Sequence, residues 1–294
     1  MPNLKEVRNR ITSVNSTMQI TSAMKVVSAA KLKKAQDRIV QMRPYARKLT
    51  EILGRLSSSL DTSENVFSVE REVKTVLLII ITSNRGLCGA FNANVIKKAR
   101  EIMKSDSTNA TYKVVTVGKK GFDYFKKTDN IISNGNLKAD NHLLYENLEF
   151  GTASEIPNAI MEDYANGKYD KVVLIYNRFK NAATQILEAE QFLPIVKPSE
   201  EGAQKDNTDY LFEPSKVEIV ENLIPKSLKT QFYKAVLDSN AAEHGARMTA
   251  MHKATDNASD LLSALKLSYN KARQAAITNE ILEIVSGASA LDDA

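Results

Sequence analysis

Neither glycine nor proline occurs between Asn3 and Arg43, and the other end of the chain repeats the pattern. From Lys226 to Ser286 there is no proline and a single glycine, Gly245. Glycine and proline are the residues that most readily interrupt a helix. Both ends therefore predict helices far longer than the usual globular length of about 11–12 residues. In the N-terminal stretch, apolar positions begin Leu4, Val7, Ile11, Val14 and Met18. They then shift by about one residue to Ile20, Ala23, Val27 and Ala30, and resume at Ile39, Met42, Ala46, Leu49, Leu53, Leu56 and Leu60. In the C-terminal stretch Met248, Met251, Thr255, Ala258, Leu262, Leu265, Tyr269, Ala272 and Ala276 alternate at three and four. Such spacing keeps one seam facing a partner helix. At 1.5 Å per residue a helix of this kind reaches roughly 90 Å, so it must pair with another helix or be sheathed by other proteins. Pairing of the two ends as an antiparallel coiled coil is the simplest solution. The small and polar seam residues (Ser22, Thr255, Ala258, Ala272, Ala276) predict a thin pair that adheres weakly to copies of itself. Pro44 predicts a kink or break.

The centre differs in kind. Thr75–Thr82 (TVLLIIIT) is a continuous β-branched apolar run, as expected of a strand buried on both faces. A glycine-bearing turn leads to a helical stretch, Asn94–Met103. A second strand follows at Lys113–Val117, with a turn and helix over Gly118–Lys127. Lys171–Tyr176 is a third strand, and Thr184–Phe192 a fourth at an edge. Strands alternating with helices predict a mainly parallel, Rossmann-like α/β sheet. Residues 197–209 are polar and read as a mobile loop. The fold class is thus α/β plus long helices, with an N-terminal coiled-coil helix over 1–60, a central α/β domain over 73–196 and a C-terminal coiled-coil helix over 210–290.

Charge is distributed unevenly. The chain is +5 overall, yet Lys5 to Arg55 holds twelve basic residues against Glu6, Asp37 and Glu51. A basic run on a helix is either a solvated face or a surface for acidic protein, nucleic acid or anionic lipid. No apolar run approaches the roughly 20 residues that span a bilayer. No apolar segment of signal-peptide type follows the N-terminus, and the single cysteine, Cys88, excludes an intrachain disulfide. Both features favour the cytoplasm.

An α/β centre invites a nucleotide site. Gly86 with Gly89, and Gly118 with Gly121, form two G-x-x-G pairs, but neither completes G-x-G-x-x-G or precedes G-K-[ST]. They read as turn glycines. His142, His244 and His252 lack the i, i+3 or i+4 spacing of paired metal ligands, and no nucleophile–base motif occurs. No cofactor and no self-contained active site are expected.

Three segments carry a specific resemblance: Ile11–Gln36 (ITSVNSTMQITSAMKVVSAAKLKKAQ), Ser83–Asn94 (SNRGLCGAFNAN) and Glu243–Ala290, with EHGARMTAMHKATDNAS and LSYNKARQAAITNEILEIVSGASA. In order and spacing the chain resembles the gamma subunit family of F-type ATP synthases. That resemblance implies a non-catalytic central-stalk rotor, present once per complex. Its helices would pass through a ring of three alpha and three beta subunits. Its α/β domain would lie beside the epsilon subunit and on the c-subunit ring, with no nucleic acid bound and membrane association only through that ring. Residue by residue, it implies that Arg273, Gln274 and Thr278 meet a catch loop of beta. Met24, Lys25 and Arg247 would lie at an acidic lever of beta, and Tyr210 and Glu213 at the c ring and epsilon. Ile281, Leu282, Ile284, Val285 and Ala288 would form an apolar bearing face. The chain has neither the dithiol insert of chloroplast members nor a transit peptide, which implies a bacterial enzyme at the cytoplasmic face of the inner membrane. Without the resemblance, the rival readings are a coiled-coil adaptor or nucleic-acid tether using the basic arm, and an α/β enzyme with helical appendages. The arm holds only Tyr45 as a base-stacking aromatic, and the enzyme lacks a phosphate loop.

Overall fold

The computed structural model describes residues 4–58, 66–69, 71–105, 110–132, 137–195 and 216–292, with backbone alone at 50–51, 53–58, 216–221 and 287–292. The predicted loop at 197–209, and Leu60, Tyr210 and Glu213, lie outside the described residues; so do the side chains of Leu53, Leu56 and Ala288. The chain divides into two compact units, one of residues 1–28 with 248–294 and one of 29–247. Helix α1 (Leu4–Ser58) and helix α5 (Lys216–Asp292) contribute to both.

In the first unit the two helices pair along a heptad seam. Val7, Thr21 and Ser28 of α1 are buried, as are Met251, Ala258 and Leu262 of α5. The one-residue shift predicted for α1 does not occur. Ile20 is 60% exposed and Val27 54%, and Ala23 is exposed as well. The 3-4 repeat instead continues unbroken from Met18 through Thr21 to Ser28. Thr21 Oγ1 lies 2.8 Å from Thr255 Oγ1 across the seam, and each hydroxyl is also within hydrogen-bond reach of its own helix, at Met18 O and Met251 O. Ser28 Oγ donates to Met24 O at 2.7 Å. Each buried hydroxyl thus has a backbone acceptor, so the polar seam leaves no unmade bond. On α5 the predicted seam holds to Ala272. Beyond it, Ala276 is exposed and Ala275 is half-buried instead.

The second unit is built on a four-stranded sheet of order β2-β1-β3-β4: β1 (Thr75–Ile81), β2 (Thr111–Val117), β3 (Lys171–Phe179) and β4 (Gln185–Leu193). β1 is parallel to β2 and to β3, while β4 lies at the edge predicted for it and pairs antiparallel with β3. Six consecutive residues of β1, Val76–Ile81, are buried, as a central strand covered on both faces requires. On one face Val76, Leu78 and Ile80 pack with Val95 and Ala99 of α2 (Phe91–Ser105) and Phe125 of α3 (Lys119–Phe125). The entry to β1 is fixed by Asp170, whose carboxylate accepts from the backbone N–H of Lys74 and Thr75.

Pro44 does not break α1, which runs to Ser58. Its ring is on the exposed side, where water can reach the Val40 carbonyl deprived of its donor; Ile39 and Leu49 are buried on the other side. Helix α4 (Phe150–Ala165) has no counterpart in the sequence reading. Its Gly151 and Pro157 imitate breakers, yet Ala153, Ile156, Pro157, Ile160 and Tyr164 are buried. α5 begins at Lys216, ten residues before the glycine- and proline-poor stretch, and passes through Pro225. Gly245 permits a close approach: a Cβ there would lie 3.2 Å from Ala182 Cα and 3.3 Å from its carbonyl oxygen.

Candidate functional site

The neighbours of β1 lie on opposite sides of it, so its C-terminal end is a topological switch point, the place where open α/β sheets take ligands. Here that end is filled by the turn of residues 83–90. Ser83 Oγ donates to Arg85 O at 2.6 Å, and the Ser83 N–H donates to Asn92 Oδ1 at 2.9 Å. Asn92 Nδ2 donates to Ser83 Oγ at 2.8 Å and to Cys88 Sγ at 3.3 Å. Asn177 Nδ2 donates to Phe91 O at 3.0 Å, tying β3 to the start of α2. Gly89 and Gly118 have positive φ, +61° and +111°. A Cβ on Gly118 would fall 2.1 Å from Thr82 O. Gly121 is needed for a different reason, since its Cβ would meet Thr82 Oγ1 at 2.9 Å.

Leu87 is the one non-glycine with positive φ among the described residues, at +62°. It is also 64% exposed. That conformation costs roughly 1–2 kcal/mol and persists where surrounding bonds over-determine it. The strongest of those bonds come from Arg247 of α5. Its Nη2 donates to Arg85 O at 3.0 Å and Gly86 O at 3.3 Å, and its Nη1 to Glu243 Oε1 at 2.6 Å. Arg247 is 8% exposed. Its guanidinium is therefore turned inward. A charged group this buried is tolerable because a carboxylate and two carbonyls meet it.

The titratable groups around this turn are structural in character. Burial pushes the Cys88 thiol up, opposed by its contact with Ser83 and the charge of Arg247. A protonated, buried thiol is a poor nucleophile. Burial, with Arg247 and Lys31 nearby, holds the His244 imidazole down at about 4. His142 Nδ1 lies 2.8 Å from Asp140 Oδ2, and no group of metal-ligating side chains occurs among the described residues.

The other expected contact residues lie in the helical pair. Arg273, Gln274 and Thr278 are all exposed on α5, with Thr278 Oγ1 donating to Gln274 O at 2.9 Å. Met24 and Lys25 are half-buried on α1, and Lys25 Nζ is 3.4 Å from His252 Nδ1. Tyr210 and Glu213 are outside the described residues. Sequence reasoning missed two apolar surfaces. Ile20, Val26 and Val27 are exposed on α1, beside an open groove of about 470 Å³ lined by Met18, Gln19, Ser22, Ala23, Val26 and Thr255. On α5, Leu261 and Leu267 are exposed. The predicted bearing residues are exposed too, Ile284 at 66%, with Ile281, Leu282 and Val285 beside it.

The architecture defines a class: proteins with an α/β sheet inserted between two long helices, one of which carries an exposed apolar stretch over residues 277–285. A family model described as ATP synthase matches residues 3–291. The ATP synthase gamma chain of Flavobacterium johnsoniae is 59% identical, over 99% of this chain and all of that one. That of Cytophaga hutchinsonii is 55% identical over the whole of both. Among solved structures, a chain of the Euglena gracilis mitochondrial ATP synthase shares the fold with a TM-score of 0.68 at 24% identity, covering 98% of this chain and 94% of its own. The chain belongs to the ATP synthase gamma-chain family. No described helix is long and apolar enough to cross a membrane.

Proposed function

We propose that this chain is the central-stalk rotor of a bacterial ATP synthase, one copy per complex, coupling rotation of a membrane c ring to conformational cycling of three catalytic beta subunits. The carrying observation, in a chain of this family, is the exposed apolar stretch of α5 over residues 277–285. Ile277, Ile281, Leu282, Ile284 and Val285 are each about half exposed or more. Monomeric proteins rarely expose contiguous apolar surface of this extent without a partner to cover it. The alpha–beta ring is that partner, and Ile20, Val26 and Val27 of α1 are covered by it as well. Arg273, Gln274 and Thr278 meet the catch loop of beta, Arg273 through a bidentate bond to a loop carboxylate. Met24 and Lys25 pass its acidic lever, and Arg247 serves that contact from within the chain. Tyr210 and Glu213 contact epsilon and the c ring. The shaft binds the conformers of beta with different free energies, and rotation exchanges which site is favoured. Nucleotide chemistry belongs to beta, so the chain needs no cofactor. It lies peripherally at the cytoplasmic face of the inner membrane, held through the c ring.

The purified chain should hydrolyse no ATP by itself, yet restore proton-coupled ATP hydrolysis to a complex assembled with alpha, beta, epsilon and c subunits. ATP turnover by the isolated chain at the rate of the complex would overturn the assignment. So would failure to co-assemble with alpha and beta.

A further inference from the structure

We infer that His252 is a positioning residue for Lys25: its ring nitrogen Nδ1 is contested by two partners, and protonation of the ring decides which one it holds. Lys25 Nζ of α1 lies 3.4 Å from Nδ1 across the helical seam. Asp256 Oδ2, one turn further along α5, lies 3.4 Å from the same nitrogen. A ring nitrogen carries either a lone pair or a proton, a lysine ammonium only donates, and a carboxylate only accepts. The two contacts therefore exclude each other as hydrogen bonds. In the neutral ring with its proton on Nε2, Nδ1 accepts from Lys25. In the protonated ring, Nδ1–H donates to Asp256, and the positive ring faces the ammonium of Lys25. Histidine changes charge between pH 5 and 8, so acid should release Lys25 from the seam.

Few other charges surround the ring. Between Arg10 and Lys31 the one charged residue of α1 is Lys25, and from Met248 to Leu262 the charged residues of α5 are Lys253, Asp256 and Asp260. Lys253 and Asp260 are exposed. The side chains of His252 and Asp256 are 56% and 60% exposed, so the ring exchanges protons with water while the seam beneath it, at Thr21, Ser28, Met251 and Ala258, stays buried. The functional part rests on the rotor reading, in which Lys25 passes an acidic segment of beta. Release of its ammonium, together with the new charge on His252, makes the shaft more cationic there as pH falls and tightens that contact. A contact that deepens one rotary position raises the barrier to leaving it. Turnover should therefore fall with pH more steeply in the wild type than in a variant whose residue 252 cannot titrate.

NMR of the isolated full-length chain, labelled with 15N-histidine and 13C-lysine, tests the exchange between pH 5 and 8. The His252 signals are those missing from His252→Gln, a substitution at an exposed position. Asp256→Asn removes the acceptor of the protonated ring, so the His252 midpoint should fall by at least about 0.3 pH unit, roughly a twofold change in proton affinity. Lysine ammonium groups stay charged throughout this window. A Lys25 side-chain signal should therefore follow the His252 midpoint in the wild type and stay flat in His252→Gln. An unchanged midpoint in Asp256→Asn, or a Lys25 signal that is flat in the wild type, would overturn the contested nitrogen. In the complex assembled with its partner subunits, the ratio of ATP turnover at pH 6 to that at pH 8 should be at least about twofold lower in the wild type than in His252→Gln. Equal ratios, or a lower ratio in the variant, would overturn the positioning role and leave the exchange standing. Failure of the wild-type chain to co-assemble with alpha and beta would instead overturn the rotor reading, and with it the positioning role.

Discussion

The threonine pair in the helical seam offers a quantitative test of why α1 keeps its register. Thr21 Oγ1 and Thr255 Oγ1 lie 2.8 Å apart, and each also has an acceptor in its own helix, Met18 O and Met251 O. Thr21→Val removes one donated bond of about 1 kcal/mol net. It leaves Thr255 still satisfied by its own helix, so no orphaned hydroxyl is created. The added methyl is buried at the Thr21 site and returns up to about 0.8 kcal/mol. Each single valine substitution should therefore destabilise by less than about 1 kcal/mol. Each hydroxyl carries a single proton, so the pair donates two bonds at most; the double variant loses both, about 2 kcal/mol, while gaining two methyls. It should lie within about 0.5 kcal/mol of wild type. The coupling between the sites, measured by a double-mutant cycle on chemical denaturation, should be below about 0.5 kcal/mol. A coupling of about 1 kcal/mol or more would refute the reasoning. It would mean that the hydroxyls hold the seam through something beyond the two bonds they donate.

Three further outcomes follow from the geometry. Gly118→Ala should abolish folding of the α/β unit or cost more than about 3 kcal/mol, because its Cβ would fall 2.1 Å from Thr82 O at a φ of +111°; a soluble variant with wild-type thermal stability would contradict this. The His244 imidazole, held at about 4 against an ordinary 6.5, contributes stability that is complete above pH 6.5 and is lost as pH falls toward 4. The loss is at most about 3 kcal/mol, and His244→Gln should flatten the dependence of the urea midpoint on pH in that window; parallel slopes in both proteins would count against it. Arg273→Ala and Gln274→Ala remove exposed groups from α5, so the isolated chain should unfold within about 0.5 kcal/mol of wild type while the assembled complex loses turnover or assembles poorly. Normal coupled synthesis in both would reject the catch-loop assignment.

Much of the architecture was legible because local patterns and tertiary demands agree. The Val76–Ile81 run is buried in the central strand its composition implies, and β4, with its glutamates and glutamines, is at an edge. α4 was illegible because Gly151 and Pro157 imitate a loop, whereas burial of Ile156, Ile160 and Tyr164 holds the helix together. Of the expected contact residues, Arg273 could be set outward from the spacing of its seam neighbour Ala272. The inward turn of Arg247 had no sequence signal, since its partners Arg85 and Gly86 lie more than 160 residues away.

The sequence by itself determined that both ends are long helices, because glycine and proline are nearly absent and the 3-4 spacing recurs. Only the tertiary structure decided which stripe of those helices meets a partner. Along α1, apolar residues at Ile20 and Val27 compete with hydroxyls at Thr21 and Ser28, and hydropathy favours the former. The paired helix admits one continuous heptad, and the buried hydroxyls satisfy themselves on the backbone and on Thr255. Register therefore prevailed over hydropathy, and the displaced apolar side chains were left exposed on the outside.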